Sequence, residues 1–133
     1  MDTTLATFEQ DVIAASTLAP VLVGLVALIQ ATIAVVEMFF WRVPKVHSRL
    51  DYSDVDANRV AAIVQNAGLY NSFLAAGLVW AVVSSGHQDA LATFFLVCVA
   101  TAGVFGAATL KPGCLVLQTL PALLALAAVW IKK

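Results

Sequence analysis

The chain has 133 residues, of which 62% are hydrophobic and only 11% are charged, whereas ordinary soluble domains are about 25% charged. Together with a mean hydropathy of +0.94, this composition predicts a single-domain integral membrane protein and excludes an ordinary soluble domain. The net charge is −1, and the seven Lys and Arg residues are spread over loops and the C-terminus. The sequence therefore lacks the basic surface that nucleic acid binding requires.

Runs of apolar residues predict an all-α fold, a bundle of four transmembrane helices that occupies residues 1–133 as one domain. A helix needs about 20 predominantly apolar residues to cross the hydrocarbon core, and each run is near that length. Trp41, Trp80 and Trp130 fall at the ends of the runs, where aromatic side chains favour the membrane interface. The predicted spans are about 20–41, 59–82, 90–110 and 114–131.

The first span is predicted to begin near Pro20, because proline is tolerated in a first helical turn, and Thr17 is a candidate cap. Residues 1–11 carry acids but no Lys or Arg. A secretory signal begins with basic residues, so we expect no cleaved signal and a first span that stays in the mature protein.

Basic residues concentrate on one side of the predicted bundle. The basic residues on that side are Arg42, Lys45, Arg49, Lys111 and, at the membrane edge, Arg59, whereas the other side offers only the two C-terminal lysines. By the positive-inside rule, we expect a multi-pass protein of the cell membrane with the 42–58 loop in the cytoplasm and both termini outside.

The second span carries more hydrogen-bonding capacity than a membrane anchor needs. On a helix, Arg59, Asn66 and Tyr70 fall within roughly 40° of one another and form one polar stripe. Gln65 and Asn71 add two more amides to this span. Unsatisfied polar groups in hydrocarbon cost several kcal/mol each, so the stripe is expected to face protein or trapped water.

The first span contributes Gln30 and Glu37, and Glu37 is the one acid deep inside any predicted span. Matching depths at about 1.5 Å per residue from the shared cytoplasmic edge predicts a ladder of polar groups between the first two spans. Glu37 is expected to pair with Arg59 at the edge. Asn66 then lies deeper, and Gln30 and Tyr70 lie near mid-membrane.

This ladder predicts a pocket that opens towards the cytoplasmic leaflet and binds, or acts on, a lipophilic small molecule. In that hypothesis Tyr70 is a catalytic general acid for an oxyanion, and Arg59 stabilises negative charge. The expected partners are membrane lipids, the lipophilic molecule and further copies of the chain. The candidate ligand-binding residues are Glu37, Asn66, Gln30, Gln65 and Asn71.

Two other functions fit the same residues. A small proton-coupled exporter of the four-span multidrug type would use Glu37, although Glu37 lies closer to the interface than to mid-span. A structural membrane subunit without catalysis would use the amides only to hold helices together, each hydrogen bond contributing about 0.6 kcal/mol on average. In the simplest alternative, Glu37 only pairs with Arg59 or reaches the headgroups.

Other reactive side chains have simpler explanations. His47 and His87 lie in predicted loops without a second histidine or acid at ligand spacing, so we expect solvated histidines and no metal site. Cys98 and Cys114 are expected to pack as small apolar side chains. Gln118 is placed to satisfy a carbonyl freed by a nearby proline.

Four segments carry a resemblance to known proteins: residues 37–41 (EMFFW), 65–77 (QNAGLYNSFLAAG), 102–108 (AGVFGAA) and 118–124 (QTLPALL). With these segments the chain resembles a family of small microbial membrane proteins catalogued as a domain of unknown function. The resemblance covers about residues 21–126. It implies a location in the membrane and no particular activity.

The chain is also similar to a second superfamily, the membrane-associated proteins of eicosanoid and glutathione metabolism. The similarity rests on the arginine, the Gln-Asn pair and the tyrosine of the second span, and on a glutamate near the end of the first. That resemblance implies four-helix protomers assembled as trimers, with active sites between subunits. It implies that Arg59, Asn66 and Tyr70 bind or activate a thiol cofactor such as glutathione and a lipophilic substrate. Glu37 would orient Arg59. The chain lacks the further basic residues that hold glutathione carboxylates in that superfamily.

Overall fold

The structure is a computed structural model that describes residues 2–131, apart from the side chains of residues 2–4 and 15. All regular secondary structure in this part is helical, which confirms the predicted all-α class. Two of its helical segments contain a π-turn, in which backbone hydrogen bonds run from residue i to residue i+5. In chain order, the elements are α1 (Asp2–Val35), the first π-turn (Val36–Phe40), α2 (Pro44–His47), a 3₁₀ turn (Ser48–Leu50), α3 (Asp54–Val83), α4 (Gln88–Thr109), the second π-turn (Leu115–Thr119) and α5 (Leu120–Ile131).

Three helical segments of the described chain are long and apolar enough to cross a membrane. They are Leu5–Phe40 with 36 residues, Asp54–Val83 with 30 residues and Gln88–Thr109 with 22 residues. The segment Leu115–Ile131, which combines the second π-turn with α5, is apolar but shorter. The prediction of helices suited to a membrane is therefore confirmed.

The predicted start of the first helix is wrong. α1 begins at Asp2, and Pro20 lies inside it and not in its first turn. Thr17 does not cap the helix, because its hydroxyl donates to the carbonyl groups of Ile13 and Ala14, at 3.1 and 3.0 Å, within the helix. The physical reason is that residues 2–19 contain no glycine or proline, so nothing in the sequence interrupts the helix before Pro20.

The second long helix, α3, also begins earlier than predicted, at Asp54. Ser53 caps it, because the Ser53 hydroxyl oxygen accepts a hydrogen bond from the backbone N–H of Asp56 at 3.2 Å. Asp54 and Asp56 in the first turn interact favourably with the positive end of the helix dipole. The polar residues read as a loop in the sequence are therefore the start of the helix.

The interior of the bundle is built mainly from alanine, valine and leucine side chains of α1, α3, α4 and α5. Val26, Leu78 and Leu96 are almost completely buried there. At Gly77 the space that a side chain would occupy is taken by the ring of Phe95. Small residues allow such close approach, which membrane bundles need because lipid supplies no hydrophobic driving force between helices.

A second, smaller cluster closes one end of the bundle around Trp41. The indole Nε1–H of Trp41 donates to the carbonyl oxygen of Ala57 at 2.9 Å, and the Tyr52 ring packs edge-on at 5.4 Å. Trp41 is only 4% exposed, although it lies at the end of its predicted span. The tryptophan therefore joins the first π-turn to the start of α3.

His47 belongs to this cluster, and the expectation of a solvated loop histidine is wrong. The side chain is buried, with Nδ1 lying 3.1 Å from the carbonyl oxygen of Tyr52 and Nε2 lying 3.2 Å from Asp54 Oδ1. Both partners are hydrogen-bond acceptors, and each of the two ring nitrogens lies within hydrogen-bond distance of one of them. The histidine thereby fixes α2 and the 3₁₀ turn against the start of α3.

Replacing His47 with phenylalanine is expected to loosen the 44–53 segment while the long helices stay folded. The ring volume is nearly kept, but both hydrogen bonds are lost, at a local cost of about 1–3 kcal/mol. Limited proteolysis should therefore cut this segment several-fold faster than in the unchanged protein. His87→Phe is the matched control, because His87 is exposed in the connection before α4. Equal protease sensitivity of the two variants would contradict a structural role for His47.

The connections 41–53 and 110–114 lie at the same end of the bundle. Lys111 Nζ lies 2.7 Å from Asp51 Oδ2, which joins the two connections directly. The basic residues that the sequence assigns to one side of the membrane therefore lie together in the structure.

Candidate functional site

Glu37 lies in the first π-turn and contacts α3. Its Oε2 atom accepts a hydrogen bond from Asn71 Nδ2 at 2.8 Å, in a partly buried position. This hydrogen bond fixes the position of Glu37, the acid that the sequence predicts inside the first span. π-turns inside helices frequently mark functional sites, because they redirect side chains and backbone groups.

Two further α3 residues shape this contact. Gln65 Nε2 donates to the backbone carbonyl of Met38 at 3.3 Å. Gly68 lies directly against the π-turn, since a Cβ atom there would come 2.7 Å from Met38 Cγ and 3.0 Å from the Ala34 carbonyl oxygen. The absence of a side chain at Gly68 is what allows α3 to bring its amides to the π-turn.

The predicted polar stripe of α3 exists, but it faces outward. Arg59, Asn66 and Tyr70 are all exposed, with Tyr70 at 57%. Gly68 and Ala61, which are buried, lie roughly on the opposite side of the helix. The inner face of α3 is therefore its small-residue face, because small side chains permit close helix packing.

The predicted ion pair between Glu37 and Arg59 is not formed, and the prediction is wrong on this point. Arg59 Nη1 lies 3.4 Å from Asp56 Oδ1, one turn earlier on the same helix. Arg59 points away from the first π-turn, because it lies on the exposed face of α3. Glu37 takes an amide donor in its place.

Gln30 lies apart from the other predicted site residues. Its side chain is completely buried, and neither Oε1 nor Nε2 has a hydrogen-bond partner in the described part of the chain. Tyr70 is exposed on α3, so these two side chains do not form the predicted mid-membrane pair. The predicted ladder is therefore not formed. Of the other predicted site residues, Asn71 and Gln65 contact the π-turn that contains Glu37.

A groove of about 620 Å³ runs along α1 and the first π-turn, with α2 and the 3₁₀ turn at one end. Its walls are almost entirely apolar, with Glu37 and Thr32 as polar side chains in the helical wall. Lys45 and Arg49 form its rim at the end near α2. The lining residues are Leu28, Ile29, Thr32, Ile33, Val36, Glu37, Trp41, Lys45, Val46, Arg49, Leu50 and Leu117.

The two rim cations have no acidic partner in the described part of the chain, because the acids of the same region lie against other bases. Asp51 pairs with Lys111, Asp54 with His47, and Asp56 with Arg59. No ion pair involves Lys45 or Arg49 within the described residues, and both are exposed. The rim therefore carries uncompensated positive charge.

Two features of the sequence point to this groove, but neither is a polar residue inside a predicted span. Lys45 and Arg49 are four residues apart and follow Pro44, the spacing of neighbours on one helical face. Gly68 interrupts an otherwise polar and bulky segment of α3, which indicates close approach of another helix. Neither signal says by itself which elements meet.

Chemically, the arrangement offers a long apolar surface, a carboxylate fixed by an amide, and two cations at the open end. Such a combination suits a molecule with an apolar tail and a polar head. Among the described residues, no three His, Cys, Asp or Glu side chains come together as a metal site would need.

Comparison with known proteins identifies one family. A family model for a protein of unknown function, DUF1304, matches residues 24–130, which include the first π-turn, the groove and α3. No curated protein and no solved structure matches the chain.

Proposed function

The chain belongs to the DUF1304 family of proteins of unknown function, and from that premise we propose that it is an integral membrane protein that binds a lipophilic small molecule in the groove beside Glu37. The observation that carries the proposal is the position of this carboxylate. Glu37 lines the apolar groove and is held there by the hydrogen bond from Asn71.

The energetics of the membrane support a role for Glu37. An acid at the centre of a spanning helix costs about 2.5–3.5 kcal/mol on insertion scales, and less towards the interface. One neutral amide, the Asn71 side chain, offsets only part of this cost. Glu37 Oε1 has no donor among the described residues, so the carboxylate at this position is better explained by a role in the groove than by helix packing alone.

In this proposal the groove end of the bundle faces the cytoplasm, and the chain crosses the membrane four times. The positive-inside rule supports this orientation, because Arg42, Lys45, Arg49 and Lys111 lie at that end. Both termini are then outside. A ligand reaches the groove from the cytoplasmic leaflet, since the groove opens sideways along α1.

The outward face of α3 is the contact between copies of the chain in the same proposal. Asn66 and Tyr70 lie near the middle of α3 and form hydrogen bonds with no other described residue. Such groups are costly in hydrocarbon. The Asn66 amide both donates and accepts, so amides of neighbouring copies complement one another.

Filling the groove is expected to remove the ligand. Ile33 lines the groove on α1, and Ile33→Trp places a large indole in the apolar space. Native mass spectrometry of the detergent-purified protein, with extraction of bound molecules, should show a lipophilic adduct on the unchanged protein and at least a tenfold loss on this variant.

Val21→Trp is the control for the added surface. Val21 lies on the same helix, is 66% exposed and does not line the groove. We expect this variant to keep the adduct. If Ile33→Trp retains the same molecules as Val21→Trp, the groove is not the binding site and the proposal fails.

A further inference from the structure

The groove has the length of one membrane leaflet. Its helical wall runs from Leu28 to Trp41, which is about 20 Å at 1.5 Å per residue. Half of a hydrocarbon core about 30 Å thick is about 15 Å. The apolar part of the groove therefore accommodates an extended acyl chain that enters from the leaflet at the α2 end.

The charges of the groove are ordered along its length. Lys45 and Arg49 lie at the rim, beyond Trp41, and neither forms an ion pair with an acid of residues 2–131. Glu37 lies about one turn inside Trp41 in the helical wall. Beyond Glu37 the wall contains only apolar side chains and Thr32, whose hydroxyl donates to the carbonyl of Leu28 within α1.

The order of the charges along the groove favours a lipid with a phosphate in its headgroup. A phosphate accepts charge-assisted hydrogen bonds from lysine and arginine. The same phosphate is repelled by the Glu37 carboxylate one step deeper. The two cations and the acid together hold a phosphate at the rim and leave the apolar stretch to the chain.

We propose that the ligand of the groove is a phosphate-bearing anionic lipid, with its phosphate on Lys45 and Arg49 and one acyl chain along α1. This inference rests on the proposed function and names the class of its ligand. An anionic lipid fits better than a zwitterionic one, because among the described residues Lys45 and Arg49 form no ion pair, whereas Asp51, Asp54 and Asp56 contact Lys111, His47 and Arg59.

Trp41 is a natural reporter of this site, because it lines the groove. Trp80 and Trp130 are more than half exposed, so Trp80→Phe and Trp130→Phe leave Trp41 as the single fluorophore. The protein is reconstituted in phosphatidylcholine vesicles doped with brominated phosphatidylglycerol or with brominated phosphatidylcholine of the same chains. Bromine quenches tryptophan at short range, so an indole in the groove wall reports a neighbouring brominated chain even though little of Trp41 is exposed.

We expect brominated phosphatidylglycerol to quench Trp41 at lower mole fraction than brominated phosphatidylcholine. Lys45→Gln and Arg49→Gln should each reduce this preference about fivefold, which corresponds to about 1 kcal/mol per cation. Arg42→Gln removes the same charge from the same connection at an exposed position outside the groove. It should leave the preference almost unchanged.

The outcomes separate this inference from the proposed function. Equal quenching by both lipids, or no difference between the rim variants and Arg42→Gln, overturns the anionic headgroup while the groove still binds a lipophilic molecule. No quenching of Trp41 by either brominated lipid overturns the lipid ligand, and the adduct on Ile33→Trp then decides the proposed function separately. Quenching that appears only when the protein is diluted in lipid would mean that a second copy of the chain covers the groove, which also overturns the inference.

Discussion

Gly103→Ala is expected to destabilise the bundle by about 1–3 kcal/mol, because one methyl group has no room where α4 meets the second π-turn. A Cβ atom at Gly103 would lie 2.8 Å from the backbone nitrogen of Thr119 and 2.9 Å from Gln118 Cβ. The backbone nitrogen cannot rotate away as a side chain can. Relief requires α4 and the π-turn to separate, which also breaks the hydrogen bond from the Thr119 hydroxyl to the Ala100 carbonyl, 3.1 Å long.

Thermal unfolding in detergent, followed by circular dichroism, measures this effect. A loss of this size corresponds to a fall in the midpoint of roughly 5–10 °C. Gly24→Ala is the matched control, because Gly24 also lies inside a long helix but a Cβ atom there meets nothing within 4 Å. We expect it to be neutral or to stabilise α1 by about 0.5–1 kcal/mol. Equal midpoints for the two variants would refute the close contact at Gly103.

Asn71→Leu is expected to destabilise the protein by about 1.5–3 kcal/mol, the usual contribution of a hydrogen bond to a charged group. The leucine keeps the approximate size of the side chain but leaves Glu37 without its donor. The carboxylate is then free to move, so the proposed ligand should also be retained less well. Thermal unfolding and native mass spectrometry of the same samples measure both effects.

Asn66→Leu provides the comparison on the opposite face of the same helix. Asn66 is exposed and has no hydrogen-bond partner among the described residues, so its loss should not weaken the fold of a single chain. If copies meet through α3 as proposed, this variant should dissociate the oligomer in native spectra. An Asn66→Leu protein that loses fold stability like Asn71→Leu would contradict the outward placement of the stripe. One that keeps its assembly would contradict the proposed contact.

The polar residues of α3 show which features helical periodicity can predict and which it cannot. The spacing of Arg59, Asn66 and Tyr70 places them on one face, and the structure agrees. Periodicity does not say which way a face points. The predicted ladder between the first two spans is wrong because the opposite face contains Gly68 and Ala61, and close packing of helices selects the face with small side chains.

The loop between the first two long helices shows the same limit for single residues. The sequence places Lys45 and His47 in a polar connection and favours solvation for His47. In the structure His47 is buried between Tyr52 and Asp54, whereas Lys45 lines the groove. This difference depends on how α2 folds back onto α3, and no local pattern specifies that contact.

The sequence alone determined the all-α class, the presence of helices that can cross a membrane, the family, and the unusual acid at Glu37, because composition, run length and motifs are local properties. Only the tertiary structure decided that Asn71 and not Arg59 contacts Glu37. It also decided that Lys45 and Arg49 border the groove. These contacts join residues far apart in the chain, and their geometry follows from close helix packing that individual residue types do not specify.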